Sequence, residues 1–284
     1  MLRWKVGDVS IACVVEFEPV MSGEGLFPMS TSEARERHAA WLRPHFMDDE
    51  GNLLMSIHAF LLESQGRRIV VDTCLGNGRQ LPFEGMSDLS GPFLEDIAAA
   101  GHPREKVDIV ICTHLHFDHV GWNTMRVGDR WVPTFPNARY LFAKKEWEDF
   151  QKPSYPEDEG IMHDCMLPIF DEGLADLVSA EHRITDEVWL EPTPGHTPGH
   201  VSVRIASRGE EAVITGDIVH HPVQLAEPTW HGVYDADVEQ AIATRRDFCE
   251  RYADRPVLVF GTHFRTPTAG RLVSAGEAWR LDLA

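Results

Sequence analysis

The stretch Thr113-His114-Leu115-His116-Phe117-Asp118-His119 decides how this chain is read, because it places four metal-ligand side chains within six positions. His114 and His116 are two residues apart, so in an extended or loop backbone both imidazoles can face one point. Asp118 and His119 follow directly and can face a second point a few ångströms away. Three histidines and a carboxylate suit a borderline cation such as Zn²⁺. The plainer alternative is a histidine-rich surface loop. Further ligand types downstream argue against it.

Working outward, the run Val107–Cys112 just before the motif is apolar and β-branched and reads as a strand that delivers the histidines at its end. Other strands are expected at Ser10–Phe17, Met55–Glu63, Arg68–Asp72, Arg139–Phe142, Val188–Glu191, Val201–Ile205, Ala212–Thr215 and Val257–Phe260. Several are short apolar runs closed by Asp, Thr or Gly, as in strands covered by helices. Ser30-Thr31-Ser32-Glu33 offers a capping box for a helix that should stop near Pro44. Pro92 can open a helix that Gly101 closes. The clearest helix spans about Asp237 to Tyr252, where Val238, Ala241, Ile242, Phe248, Cys249 and Tyr252 form one apolar stripe. This order predicts an α/β (α+β) chain: an αββα sandwich of two mixed sheets flanked by helices. No repeat or linker interrupts it, so residues 1–284 are expected to form a single domain. Residues 20–52 read as an excursion that covers a pocket or forms an interface. Their Met21, Phe27, Met29, Trp41, Phe46 and Met47 exceed what a plain loop needs; core packing is the alternative.

Composition narrows the partners. The 284 residues carry a net charge of −19 at pH 7, which argues against nucleic acid. An anionic substrate stays open, because divalent cations reverse the local sign. The five cysteines are odd in number and none falls in CxxC spacing, so neither a disulfide framework nor a cysteine zinc site is expected. A reducing cytoplasm fits. The opening Met1–Asp8 lacks the apolar stretch of a signal peptide, and no run of 18 apolar residues occurs, so no membrane association is expected.

Three more segments place a ligand at a strand end or tight turn: Thr193-Pro194-Gly195-His196-Thr197-Pro198-Gly199-His200, Ile214-Thr215-Gly216-Asp217 and Val259-Phe260-Gly261-Thr262-His263. Taken with the opening motif, they resemble the metallo-β-lactamase fold superfamily, whose hydrolases carry HxHxDH, a GHTxGH-type loop, an Asp and a final His. Four elements in the right order make the resemblance specific; HxHxDH alone is less so. The resemblance implies that His114, His116 and His196 hold one metal ion, that Asp118, His119 and His263 hold a second, and that Asp217 bridges them. It implies two divalent ions as cofactors, zinc first, with Mn²⁺, Fe²⁺ or Co²⁺ able to use the same donors. Asp217 stands where the lactamases proper often have cysteine, which argues against β-lactam hydrolysis. His116 stands where the flavin-linked di-iron members have Glu, which argues against a redox role.

The implied activity is hydrolysis of an ester, lactone or aryl ester, with phosphotriesters as a side substrate, by a metal-bridging hydroxide that Asp118 helps to hold. Related lactonases acting on acyl-homoserine lactones have Tyr three residues after the bridging Asp. Here His220 occupies that place and is the candidate proton donor or substrate contact, with a solvated loop histidine as the alternative. The run Gly216–Gln224 is closer in look to the methyl parathion hydrolase branch. Phe27, Trp122 and Trp230 are candidate pocket walls, with core packing as the alternative for each. His200 is expected to shape its loop by hydrogen bonding. Asp72 is expected to orient a ligand imidazole or to cap its strand. His45, His58, His102, His163, His182 and His231 have no partner spacing. A glyoxalase II-like thioesterase is the alternative activity, weakened by the lack of a basic cluster for glutathione carboxylates. A non-catalytic metal-binding module is the alternative class. The apolar 20–52 segment leaves room for a homodimer.

Overall fold

The computed structural model describes residues 1–83, 85–152 and 157–283. Two mixed sheets face each other. The first has seven strands in the spatial order Leu2–Val6, Val9–Phe17, Ile57–Ser64, Arg67–Val71, Ile109–Ile111, Arg139–Ala143, Ala175–Val178. The second has six, in the order Val188–Pro192, Val201–Ser207, Glu210–Ile214, Val257–Phe260, Ala269–Ala275, Ala278–Asp282. Phe60, Val71 and Ile111 of the first sheet meet Val203, Ile214 and Phe260 of the second in one buried cluster. Period-two alternation sends the other side chains outward. On the outer face of the first sheet, Val70, Val110 and Tyr140 pack beneath Phe93, Ile97 and Ile169 of helical segments. On the outer face of the second, Val213 and Val259 pack beneath Phe248 and Tyr252 of the helix Val238–Tyr252. The αββα sandwich is therefore present.

Strand direction positions the site. Arg67–Val71 and Ile109–Ile111 are parallel neighbours in the first sheet, and Glu210–Ile214 and Val257–Phe260 are parallel neighbours in the second. Val188–Pro192 runs the same way as the latter pair, two antiparallel steps across. The segments that follow these five strands contain Asp72, the 113–119 motif, Asp217, His263 and His196 respectively. Cross-sheet bonds lock these segments together: Val201 N donates to Thr113 O at 3.0 Å, and Ser56 N donates to His263 O at 3.0 Å.

All nine expected strands exist with ends shifted by two residues or fewer. Strands Leu2–Val6, Ala175–Val178, Ala269–Ala275 and Ala278–Asp282 are additional. Three alternate between polar and apolar residues or lie at a sheet edge, where the apolar signal is thin. The first is a two-residue hairpin through Gly7-Asp8, with Gly7 at φ +57°. The helix expected over 30–44 is broken into Ser32–Glu36 and Ala39–Leu42, and its cap is Thr31, whose hydroxyl accepts Ala34 N at 3.1 Å. The break falls at Arg37-His38, where His38 sits at φ −103° and ψ 0°, and Ala34 and Leu42 on either side of it pack in the same buried cluster.

Residues 20–52 divide between two roles. Phe27, Leu42, Phe46 and Met47 are fully buried against the outer face of the second sheet. Met21 and Leu26 instead face a cavity over the histidine cluster. Among the described residues, no helix is long and apolar enough to cross a membrane.

Candidate metal centre

All seven expected ligands converge. His114, His116 and His196 form one group of donor atoms within 4.8 Å of one another, Asp118, His119 and His263 form a second, and Asp217 joins His114 and His119 in a third. His116 Nδ1 lies 3.1 Å from His114 Nε2 and 2.9 Å from His196 Nε2. In the second group His119 Nε2 and His263 Nε2 are 3.2 Å apart, and Asp118 Oδ2 is 3.4 Å from His263 Nε2. Asp217 Oδ2 stands between the groups, 3.2 Å from His263 Nε2, 3.3 Å from His119 Nε2 and 3.6 Å from His196 Nε2. Donors at 2.0–2.2 Å from a tetrahedral zinc would be about 3.3–3.6 Å apart; the second group's 3.2 and 3.4 Å lie close to that, and the first group's 2.9 and 3.1 Å are a few tenths of an ångström shorter. Asp217 Oδ1 is buried and finds no hydrogen-bond partner among the described residues, a costly state for a carboxylate oxygen unless a cation meets it.

Local backbone explains the convergence. Gly216 turns at φ +57° after Ile214, and a Cβ there would lie 2.4 Å from His200 Nε2. Any other residue would push the Asp217 carboxylate and the His200 ring apart. His200 Nε2 accepts Asp217 N at 2.8 Å, so its Nδ1–H donates to Thr193 Oγ1 at 2.9 Å. His200 is thus committed to shaping the loop.

Four of the five expected ligand imidazoles are aimed by a bond to their other nitrogen. Asp72, at φ +58° after its strand, accepts His119 Nδ1–H at 2.9 Å through Oδ2. The same oxygen accepts the Thr113 hydroxyl at 2.8 Å, which leaves Thr113 Oγ1 to accept His114 Nδ1–H at 3.1 Å. Ser56 O accepts His263 Nδ1–H at 3.0 Å, and Asp235 Oδ1 accepts His196 Nδ1–H at 2.8 Å. These bonds fix the tautomers of the four rings so that their Nε2 faces the centre, whereas His116 faces it through Nδ1.

The two groups differ in charge. Burial pushes His116 down to about 4 and holds His114 and His196 well below the usual imidazole range. Burial also works downward on His119 and His263. There, nearby carboxylates outweigh it: Asp217, Asp118 and Asp72 around His119, and Asp217 and Asp118 around His263. Both imidazoles are consequently raised. Burial works against the Asp217 carboxylate, yet the surrounding imidazoles, His119 and His263 foremost, hold it well below the usual range.

His220 faces the same centre, with Nε2 3.3 Å from Asp217 Oδ2, and burial lowers it to about 3. It also falls within donor range of His196 and Asp217. The cavity over the cluster, about 140 Å³, is walled by Met21, Leu26, Met55, Ile57, Phe83 and Met86. Phe117 stacks on Phe83 with centroids 4.3 Å apart, and Tyr234 meets the His116 ring at 5.8 Å. No lysine or arginine lines it among the described residues.

The three aromatic walls expected from sequence lie elsewhere. Phe27 and Trp230 pack on each other, centroids 6.0 Å apart, in the core outside the second sheet. Trp122 stacks on Phe93 and donates its Nε1–H to Glu16 Oε1 at 2.5 Å. Large apolar side chains near a motif in sequence had no way to show which face they would take. Sequence reasoning also missed Asp235 and Glu146. Glu146 Oε1 accepts Leu115 N at 3.2 Å and its Oε2 accepts Gly199 N at 3.0 Å, joining the two ligand loops. Nothing in Lys144-Lys145-Glu146-Trp147 signals that role.

Residues 54–263 match the metallo-beta-lactamase superfamily. An N-acyl homoserine lactonase of Bacillus cereus is 27% identical over 180 residues, covering 58% of this chain and 64% of the relative. The chain thus spans less than two thirds of the curated relatives it matches most extensively. Among solved structures, AidC, a dizinc quorum-quenching lactonase bound to a product, superposes with a TM-score of 0.83 at 18% identity, covering 99% of this chain and 96% of that one. The hydrolase AbOPH of the beta lactamase superfamily superposes at 0.81 with 25% identity, covering 99% and 97%. The ligand order, its geometry and the extent of the match agree: the chain belongs to the metallo-beta-lactamase superfamily.

Proposed function

We infer that the protein is a dinuclear metal-dependent hydrolase of neutral carboxylic esters, a lactone or an aryl ester, with phosphotriesters as a side substrate. The observation that carries the reading is the pairing of seven convergent donors with an apolar cavity that opens onto them. Two divalent ions, zinc foremost, would lower the pKa of a water towards ~7 and polarise the substrate oxygen when bound. His114, His116 and His196 would hold one ion, Asp118, His119 and His263 the other, and Asp217 both.

The chain's own residues then divide the work. Asp118 orients the attacking water through its carboxylate. The cavity receives the acyl or aryl group and excludes bulk water. His220, kept neutral by burial, offers one N–H to the carbonyl or leaving oxygen without adding charge. Water adds its oxygen to the carbonyl carbon, the bond to the leaving oxygen breaks, and that oxygen takes up the proton the water gave up.

The lactonase relatives support a lactone, while His220 in place of the expected tyrosine leaves the acyl-homoserine class open. A glutathione thioester, with its carboxylates, is disfavoured by a wall that carries no lysine or arginine among the described residues. The deciding assay is a panel of lactones, aryl esters, thioesters and phosphotriesters with and without chelator. Chelator-sensitive turnover of lactones or aryl esters supports the reading; turnover of thioesters alone overturns the substrate class.

A further inference from the structure

Arg245 falls on the helix Val238–Tyr252 in register with its apolar stripe, and its side chain is fully buried. A guanidinium keeps its charge in a protein, so burying one is costly unless its N–H groups are met. Its Nε donates to Ile218 O at 2.7 Å, and its Nη1 donates to Pro228 O and Trp230 O, both at 2.9 Å. Its Nη2 faces Asp235 Oδ2 at 3.8 Å, and neither atom has a hydrogen-bond partner among the described residues. Asp235 holds His196 Nδ1–H with its other oxygen, and Ala236 N donates to His196 O at 2.9 Å.

One side chain therefore reaches two ligand loops. Through Ile218, the neighbour of Asp217, it fixes the turn that aims the bridging carboxylate. Through Asp235 it reaches the ring of His196. Bonds to carbonyls alone could be made by a neutral group or by water. A full cation placed beside a buried carboxylate is better suited to keeping that carboxylate charged, and it is the carboxylate that holds His196 Nδ1–H.

We propose that Arg245 and Asp235 are a positioning pair for the ion held by His114, His116 and His196. Asp235 fixes the His196 tautomer and raises its basicity, and Arg245 supplies the counter-charge while registering Asp217 to the same point. Neither touches substrate. The proposal rests on the reading of the cluster as a two-ion centre.

The test uses the full chain, stripped with chelator and titrated with Co²⁺. Bound metal is counted per chain, and the visible Co²⁺ bands report each coordination sphere. The wild-type chain is expected to take up two ions. Asp235→Asn, which keeps the shape and an acceptor, should weaken one ion about 10–100-fold and leave the other nearly unchanged. Arg245→Met should weaken the same ion most and, through Asp217, the other to a smaller extent, and the double variant should be no worse than Arg245→Met alone. Unchanged affinity for both ions in Asp235→Asn, or equal weakening of both with an unaltered circular dichroism spectrum, overturns the proposal. If Arg245→Met does not fold, Asp235→Asn still decides. A wild-type chain that takes up no metal sinks the hydrolase reading itself, and the positioning pair with it.

Discussion

The two donor groups of the centre sit side by side but are built on opposite electrostatic plans. His114, His116 and His196 are three imidazoles that burial holds neutral, ready to donate lone pairs. Asp118, His119 and His263 lie among carboxylates that draw protons onto the two imidazoles. In the first group a cation meets lone pairs that are already free. In the second it must displace protons that the same carboxylates attract. The difference teaches that one site can be tuned for affinity and its neighbour for response to pH, although the Asp217 carboxylate stands between them.

The largest effect should follow removal of the shared element. Asp217→Ala is expected to empty both groups and abolish hydrolysis, a loss well beyond the roughly 100-fold of an outer-shell change. Metal counting beside turnover checks it; retention of two ions would break the bridging assignment. Next is pH. His119 and His263 are raised in the absence of a cation, so as pH falls through their range protons win and the ion in the second group should leave first. The first group, with imidazoles lowered, should keep its ion to more acidic pH. Dialysis at a series of pH values with metal analysis reads the order, and simultaneous release would contradict the comparison.

A third change sharpens it from outside. Asp72→Asn weakens the acceptor that holds His119 and, through Thr113, His114, so it should cost about 10–100-fold in metal affinity, more in the second group. His220→Gln should lower turnover about tenfold with both ions retained if the ring is a substrate contact. Loss of an ion would make it a ligand instead. The smallest effect belongs to the core. Phe27→Leu should lower stability by about 1–2 kcal/mol with no change in KM, measured by denaturant unfolding and steady-state kinetics. A raised KM would return Phe27 to the pocket wall.

The nine expected strands were legible because each is a short apolar run closed by a turn former, and the ligands because spacing on a strand end leaves few ways to point. Arg245 could also have been read, since it continues the stripe of Ala241, Phe248 and Tyr252. The split of the 30–44 helix was not readable. Its cap chemistry was, but nothing in Arg37-His38 announces the break that falls there. The misplaced aromatics teach the same thing. Trp122 lies three residues after a ligand yet turns to Phe93 and Glu16, because contact depends on which side of a strand or turn a ring takes.

By itself the sequence set out the strand and helix pattern and the candidate donors, because these follow from local periodicity and from residue types at strand ends, while the expected division of the donors into two groups rested on the likeness of the four motifs to a known family. Only the tertiary structure decided which imidazole Asp72 aims and what aims the others, which group attracts protons, and which apolar residues wall the cavity. Asp72, Asp235 and Glu146 lie tens of residues from the loops they hold. Methionines and leucines from residues 20–57 and 86 reach the site only because two sheets close against each other. Distance through space, rather than order along the chain, sets both desolvation and charge.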